Sequence, residues 1–407
     1  MAGRAGRKAI RAVVIVIGVF VILAVGLYGP ATLVGPLPAA TATITDTSGE
    51  AGVTGAPTLP PTGASALVAE GSDQLLASAG LPEAVPIGGS AKVITALVVL
   101  DAKPIAEGSD GETISFTSAD VQIYNDYLAE NGSVKTVVAG TSLTQREVLE
   151  VALVGSANNY TQSLVNWAFG SEANYAEAAA TWLAAHGMTS TSITDATGMS
   201  PLNTSTPADL VTLGELALAD PTVSAITSSE SVTVPSVGQL SNTNKLLGVD
   251  GIDGIKTGTL DEAGACLLFS ADVTIAGEDI TLVGVILGGP DHNVVNTDVL
   301  ALLASAEAGY HEVVLATAGQ QFGSYTTEWG TEAPLVAAED SSTLVWSDTP
   351  VTAAVTAEPV TLTADGDDQG TILFAVGGSE ISIPLETAAP IEDPGAWWRL
   401  TNPSKLF

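Results

Sequence analysis

From Ser90 to Asp101 the chain reads Ser-Ala-Lys-Val-Ile-Thr-Ala-Leu-Val-Val-Leu-Asp, apolar nearly all round. A helix without a polar face has no side to turn to water, so it must be buried on most faces. Such a helix demands a large core around it. A chain of 407 residues can supply one, with room for two domains besides any anchor. The abundance of Ala, Val, Thr and Gly fits a globular, strand-containing protein. Lys92, in the first turn of this helix, taken alone reads as a lysine snorkelling from a helix start.

Other elements can be read around it. Two short apolar stretches, Ser65–Ala69 and Gln74–Ser78, flank Glu70-Gly71-Ser72-Asp73 and predict a hairpin. Thr144-Gln145-Arg146-Glu147 has capping-box spacing and predicts a helix through Val154, stopped by Gly155. A second helix, Asn159 to Ala168, is expected to turn Leu164, Val165 and Trp167 inward. Thr206-Pro207-Ala208-Asp209 predicts another helix start. Apolar segments at Ala265–Ser270 and Ile280–Leu287 predict adjacent antiparallel strands, in a central sheet flanked by helices. The strand carrying Lys256 is expected at its edge. After His311 the pattern changes to short strands separated by turns, clearest at Leu344–Trp346, Val360–Leu362, Ile372–Ala375 and Ile381–Pro384. These predict a small all-β domain.

Charge narrows the partners. With 45 acidic against 12 basic residues the net charge is -33, which excludes nucleic acid as a partner and disfavours docking of the folded part along an anionic surface. Four of the basic residues, Arg4, Arg7, Lys8 and Arg11, precede Ala12–Tyr28, an uncharged run of 17 residues. Apolar character continues to Val34, although Pro30 is expected to end the helix. Such a length favours a membrane anchor with the N-terminus inside and the folded part outside. The alternative is a cleaved signal peptide, with Ala40-Thr41-Ala42 as its small-residue cleavage site, giving a secreted protein. The expected organisation is a basic N-terminus (1–11), an anchor (12–34), a flexible linker (35–63), a main domain (64–310) and a β-rich domain (311–407). Cys266, the single cysteine, reads as a buried core residue. His186, His292 and His311 show no metal-ligand spacing, so neither a metal nor another cofactor is expected.

Three motifs carry chemistry: Gly89-Ser90-Ala91-Lys92, Ser156-Ala157-Asn158, and Asp253-Gly254-Ile255 leading into Lys256-Thr257-Gly258-Thr259. In this order they resemble the Ser-x-x-Lys, Ser-x-Asn and Lys-Thr-Gly series of penicillin-binding proteins, and above all the D-alanyl-D-alanine carboxypeptidases. The resemblance spans roughly residues 64–310. It implies an α/β (α+β) domain with an antiparallel sheet flanked by helices, followed by a small β domain. It also implies a serine peptidase of the cell envelope that acts on peptidoglycan stem peptides through an acyl-enzyme and is trapped by β-lactams. Lys92 then matches the lysine base, Ser156 the proton-relay serine, and Asn158 the asparagine that holds the substrate amide. Lys256 would supply a second positive charge, Thr257 and Thr259 would reach the substrate carboxylate, and Gly258 would allow close backbone approach.

One position departs. Three residues before Lys92 stands Gly89, which has no side chain to attack with. Ser90, the candidate substitute, is two residues from Lys92, about 200° around a regular helix. It serves equally as an N-cap. Three readings stay open: an active enzyme using Ser90 from a distorted helix start, with Ser156 a substitute nucleophile less well placed for the oxyanion donors; a relative that binds muropeptide ends or wall partners without hydrolysis; or a mainly structural envelope protein that keeps the motifs as remnants.

Overall fold

The computed structural model describes residues 2–45, 55, 57–72, 74–80 and 83–407. The chain divides into two compact units, Gly55–Tyr310 and a second made of Met1–Thr54 with His311–Phe407.

The first unit is built on a five-stranded antiparallel sheet. Its strand order is Ile252–Leu260, Gly264–Ile275, Glu278–Gly289, Ala64–Ala69, Leu75–Ala79. The Lys256 strand stands at the edge, as expected. Alternation along the strands divides the core in two. Leu267, Phe269 and Ile286 face the helix His292–Glu307 through Val295, Val299 and Leu302. Leu268, Val283 and Val285 face the opposite way, into a larger core with the helices Ala91–Ala102 and Pro207–Ala219. Every residue from Ala91 to Leu100 is buried, the result required of a helix with no polar face.

Local signals set the helix starts. Thr144 and Glu147 form the reciprocal capping box, and the helix runs Gln145–Leu153. Thr206 accepts from the Asp209 amide at the start of Pro207–Ala219. Strands Ala64–Ala69 and Leu75–Ala79 form the predicted hairpin, with Asp73 lying outside the described residues. Trp167 is only partly buried, packing against the core with Lys103 Nζ 5.3 Å from its ring centroid. Cys266 is buried, and burial pushes its thiol up to about 11.

The second unit is a six-stranded antiparallel sheet over its own core of Phe322, Tyr325, Leu335, Ile372, Phe374 and Leu385. Its strands at Asp368–Val376 and Ser379–Thr387 contain two of the predicted segments, and Ser341–Trp346 pairs with Tyr310–Ala316. Val360–Leu362 is not a strand. Val360 makes only an isolated bridge to Ala40, with Leu362 half exposed. Within the stretch expected as a tether, Ala42–Ile44 adds an edge strand by pairing with Gln321–Thr326. The apolar N-terminal helix does not end before Pro30. It runs Ala2–Leu23, passes a π turn at Ala24–Tyr28, and resumes as Gly29–Leu33 with Pro30 in the first turn of that last segment, where its missing N–H costs little. Ala9–Leu33 is long and apolar enough to cross a membrane.

Candidate functional site

The site forms where the start of the Lys92 helix meets the edge strand. Val85–Pro86 pairs with Thr204–Ser205, and the Ile87 amide donates to the Asn203 carbonyl at 3.0 Å, which holds the chain as it enters. Gly88–Ser90 then makes one 3-10 turn before the helix proper, with Gly88 in the left-handed region at φ +49°.

Glycine backbones meet at this turn. A Cβ on Gly89 would stand 2.6 Å from the Thr257 carbonyl oxygen and 3.0 Å from Gly258 Cα. A Cβ on Gly258 would stand 2.4 Å from the Gly89 nitrogen. On the other flank, a Cβ on Gly198 would overlap the Gly88 carbonyl. The helix start is therefore seated directly on the Thr257–Gly258 backbone, and the volume a nucleophile side chain would need at position 89 is already filled.

Ser90 does not cap the helix. It has helical backbone angles, makes no capping bond, and its fully buried Oγ lacks a hydrogen-bond partner among the described residues.

Lys92 is buried, and its Nζ donates to the Thr197 carbonyl at 2.5 Å. That carbonyl is held in place by Asp195, whose Oδ1 accepts from the amides of Thr197 and Gly198 and from Thr197 Oγ1. Asp195 Oδ2 accepts from the Ser200 amide. Burial pulls the Lys92 amine down to about 8, with the Asp195 carboxylate opposing the shift.

Lys256 is buried as well. Its Nζ donates to Ser156 Oγ at 3.1 Å and to the Thr257 carbonyl at 2.9 Å. Burial, and then the positive charge of Lys92, pull it down to about 7. Ser156 takes φ +52°, an uncommon conformation for a residue with a side chain, at the connection between Gln145–Leu153 and Asn158–Phe169. Asn158 is buried, with its amide donating to the Ser133 carbonyl and its Nδ2 close to Gly132, where a Cβ would come within 2.9 Å.

Further along the edge strand, Thr257 Oγ1 lies 2.5 Å from Thr243 Oγ1. Thr259 Oγ1 lies 2.8 Å from His292 Nε2. Burial and then Lys256 lower the proton affinity of His292, partly offset by Asp291.

Of the residues singled out in the sequence, Ser156 is hydrogen-bonded to Lys256, Lys92 is electrostatically coupled to it, and Gly89 and Gly258 are packed together. Among the described residues Ser90 Oγ is brought to no hydrogen-bond partner. The sequence reading gave no site role to Thr197, Thr243 or His292. The first acts through its carbonyl, which any residue type would carry, so no side-chain signal marked it. The other two depend on pairings across 14 and 33 residues. Chemically, the arrangement offers two amines that shed protons near neutrality, a hydroxyl on one of them, and a row of hydroxyls beside a histidine. Such a row suits a carboxylate.

Residues 57–290 match the model of the D-alanyl-D-alanine carboxypeptidase peptidase family. A D-alanyl-D-alanine endopeptidase of Pseudomonas aeruginosa is 30% identical over 197 residues, which cover 46% of this chain and 60% of that protein. Among solved structures, penicillin-binding protein 5 from Haemophilus influenzae superposes with a TM-score of 0.58 at 20% identity, covering 82% of this chain and 99% of its own. The D-alanyl-D-alanine carboxypeptidase DacD from Francisella tularensis gives 0.58 at 17% identity, covering 86% and 97%. The Streptomyces K15 DD-transpeptidase gives 0.54 at 22%, covering 61% and 98%. At these identities the structural likeness establishes the fold.

Proposed function

Because the chain belongs to the D-alanyl-D-alanine carboxypeptidase family, we propose that it recognises the D-Ala-D-Ala ends of peptidoglycan stem peptides without forming an acyl-enzyme at the helix start. We place the recognition outside the cell, with Ala9–Leu33 as a retained membrane anchor and the N-terminus inside. The observation that carries the reading is Gly89, whose backbone rests on Thr257 and Gly258 where a serine side chain would project. Protonated Lys256 supplies positive charge, and the hydroxyls of Thr257 and Thr259 donate to the terminal carboxylate. Asn158 holds the peptide amide, and Gly258 lets the edge strand pack against the helix start at Gly89.

The test uses the full chain in detergent micelles, titrated with diacetyl-L-Lys-D-Ala-D-Ala by calorimetry and incubated separately with penicillin for intact-mass analysis. The expected result is saturable peptide binding, weakened about tenfold in Thr257→Val (about 1.4 kcal/mol, one hydrogen bond to a charged group), with no gain in mass. Absence of peptide binding overturns the proposal.

A second reading rests on Ser156. Its Oγ accepts from a lysine whose proton is easily lost, and its backbone is held at positive φ. With Lys256 neutral, Ser156 Oγ attacks the carbonyl carbon of the D-Ala-D-Ala bond and its proton passes to Lys256 Nζ. The C–N bond then breaks, Lys256 returns the proton to the departing D-Ala amine, and water releases the acyl group. A penicillin adduct that disappears in Ser156→Ala but persists in Ser90→Ala would establish this reading in place of the first. The converse pattern would establish Ser90.

A further inference from the structure

The last thirteen residues pack against the end of the apolar N-terminal helix. Tyr28 Oη donates to the Leu400 carbonyl at 2.6 Å, and Arg399 Nη1 donates to the Gly35 carbonyl at 2.6 Å. A Cβ on Gly35 would stand 3.3 Å from Phe407 Cζ and 3.6 Å from Leu406 Cβ, so the C-terminus lies two residues beyond Leu33 in space. The short helix Gly395–Thr401 is fixed to the β-rich unit through Trp398, whose ring meets Trp329 edge-on at 5.6 Å. Trp397, its neighbour, points away and is 79% exposed. Phe407 is 77% exposed and Val34 is 82% exposed.

Two bulky aromatic side chains on the surface call for a covering phase. Its identity follows from continuity. The most apolar stretch of the span Ala9–Leu33 is not buried in protein and is matched to hydrocarbon, while Thr32 at its end is covered, so the residues packed around its exit stand at the level where hydrocarbon gives way to headgroups. Trp is enriched at that level because its ring is apolar and its N–H is wet. Electrostatic attraction does not assist. Arg399 pairs with Asp393 and Lys405 with Glu328, which neutralises both cations of the segment in a chain of net charge -33.

We propose that Gly395–Phe407 forms an interfacial collar around the exit of the N-terminal span, with Trp397 and Phe407 inserted into the headgroup region of the outer leaflet. The collar rests on the reading of Ala9–Leu33 as a retained anchor. It also bears on that reading, since cleavage after Ala42 would remove the Tyr28 and Gly35 contacts. It would remove the first residue of the edge strand as well. Anionic lipid is not required.

The test reconstitutes the full chain in phosphatidylcholine vesicles carrying bromine either near the headgroup or near the chain ends, and reads tryptophan emission. The expected result is quenching that is stronger for the shallow bromine and mostly lost in Trp397→Phe. Equal quenching is expected when part of the lipid is phosphatidylglycerol, and both proteins should float equally well with the vesicles. Absence of quenching in a floating protein of full mass overturns the collar while leaving the anchor standing. Quenching that survives Trp397→Phe overturns it too, as does quenching that needs phosphatidylglycerol, or a Trp397 shielded from both bromolipid and aqueous acrylamide by a second copy. An intact mass beginning after Ala42 overturns the anchor itself.

Discussion

At the residue scale, Gly89 and the two buried lysines hold the most information. Restoring a serine at position 89 is not a simple gain of a hydroxyl, because its Cβ would meet the Thr257 carbonyl at 2.6 Å. Gly89→Ser is expected to destabilise by about 1–3 kcal/mol, the usual range for overpacking, and to leave penicillin unattached. Differential scanning fluorimetry and intact mass check this, and a variant as stable as the parent would refute the close packing. The lysines make stability depend on pH. Both bind protons less tightly folded than unfolded, at about 8 for Lys92 and about 7 for Lys256 against 10.5. From about pH 7 the two lysines therefore hold more protons in the unfolded chain, and through them stability rises with pH, against the opposing pull of the buried Cys266 thiol above about pH 9. Each lysine adds at most about 1.4 kcal/mol per pH unit. The rise ends near pH 10, where half-buried Tyr127 and buried Tyr175, both held above their usual range by desolvation, begin to favour the unfolded state. Denaturant titrations from pH 7 to 9.5 should show the rise, and Lys256→Met should flatten it. A parent curve that falls across this window would contradict the burial of the two amines.

At the element scale, what the sequence revealed and what it hid follow one rule. Elements whose signals are local were legible: the Thr144–Glu147 box, the Thr206 cap, the hairpin before the Lys92 helix, and the apolar alternation at Leu267–Phe269. Elements defined by a distant partner were not. Val360-Thr361-Leu362 has strand composition, yet only Val360 finds a neighbour, and Ala42–Ile44 becomes a strand only because Gln321–Thr326 offers it an edge. The same competition appears at Gly214, inside the helix Pro207–Ala219. Intrinsic propensity alone favours Gly214→Ala by about 0.8–1.0 kcal/mol. In the fold, the added Cβ would lie 2.4 Å from Val283 Cγ1 on the sheet, and overpacking of about 1–3 kcal/mol wins. Gly214→Ala is expected to lower the urea midpoint without changing the slope. An increase in stability would show that the helix can shift off the sheet.

At the scale of the whole molecule, charge and connectivity dominate. A net charge of -33 works against the compact state through self-repulsion, which salt screens as the Debye length falls from about 30 Å at 0.01 M to about 8 Å at 0.15 M. The melting temperature of the full chain in neutral detergent is expected to rise by a few degrees over that range. No change would mean that the acidic residues are too dispersed to act together. By itself the sequence determined the buried helix, the helix starts, the order of the three motifs and the apolar span, because capping, periodicity and hydropathy are properties of residues a few positions apart. Only the tertiary structure decided that Gly89 rests on the Thr257–Gly258 backbone, that Ser156 Oγ reaches Lys256, that Thr259 meets His292, and that the C-terminus closes around Tyr28 and Gly35. Those are matters of ångströms between segments far apart in the chain, set by how the cores pack rather than by any local preference.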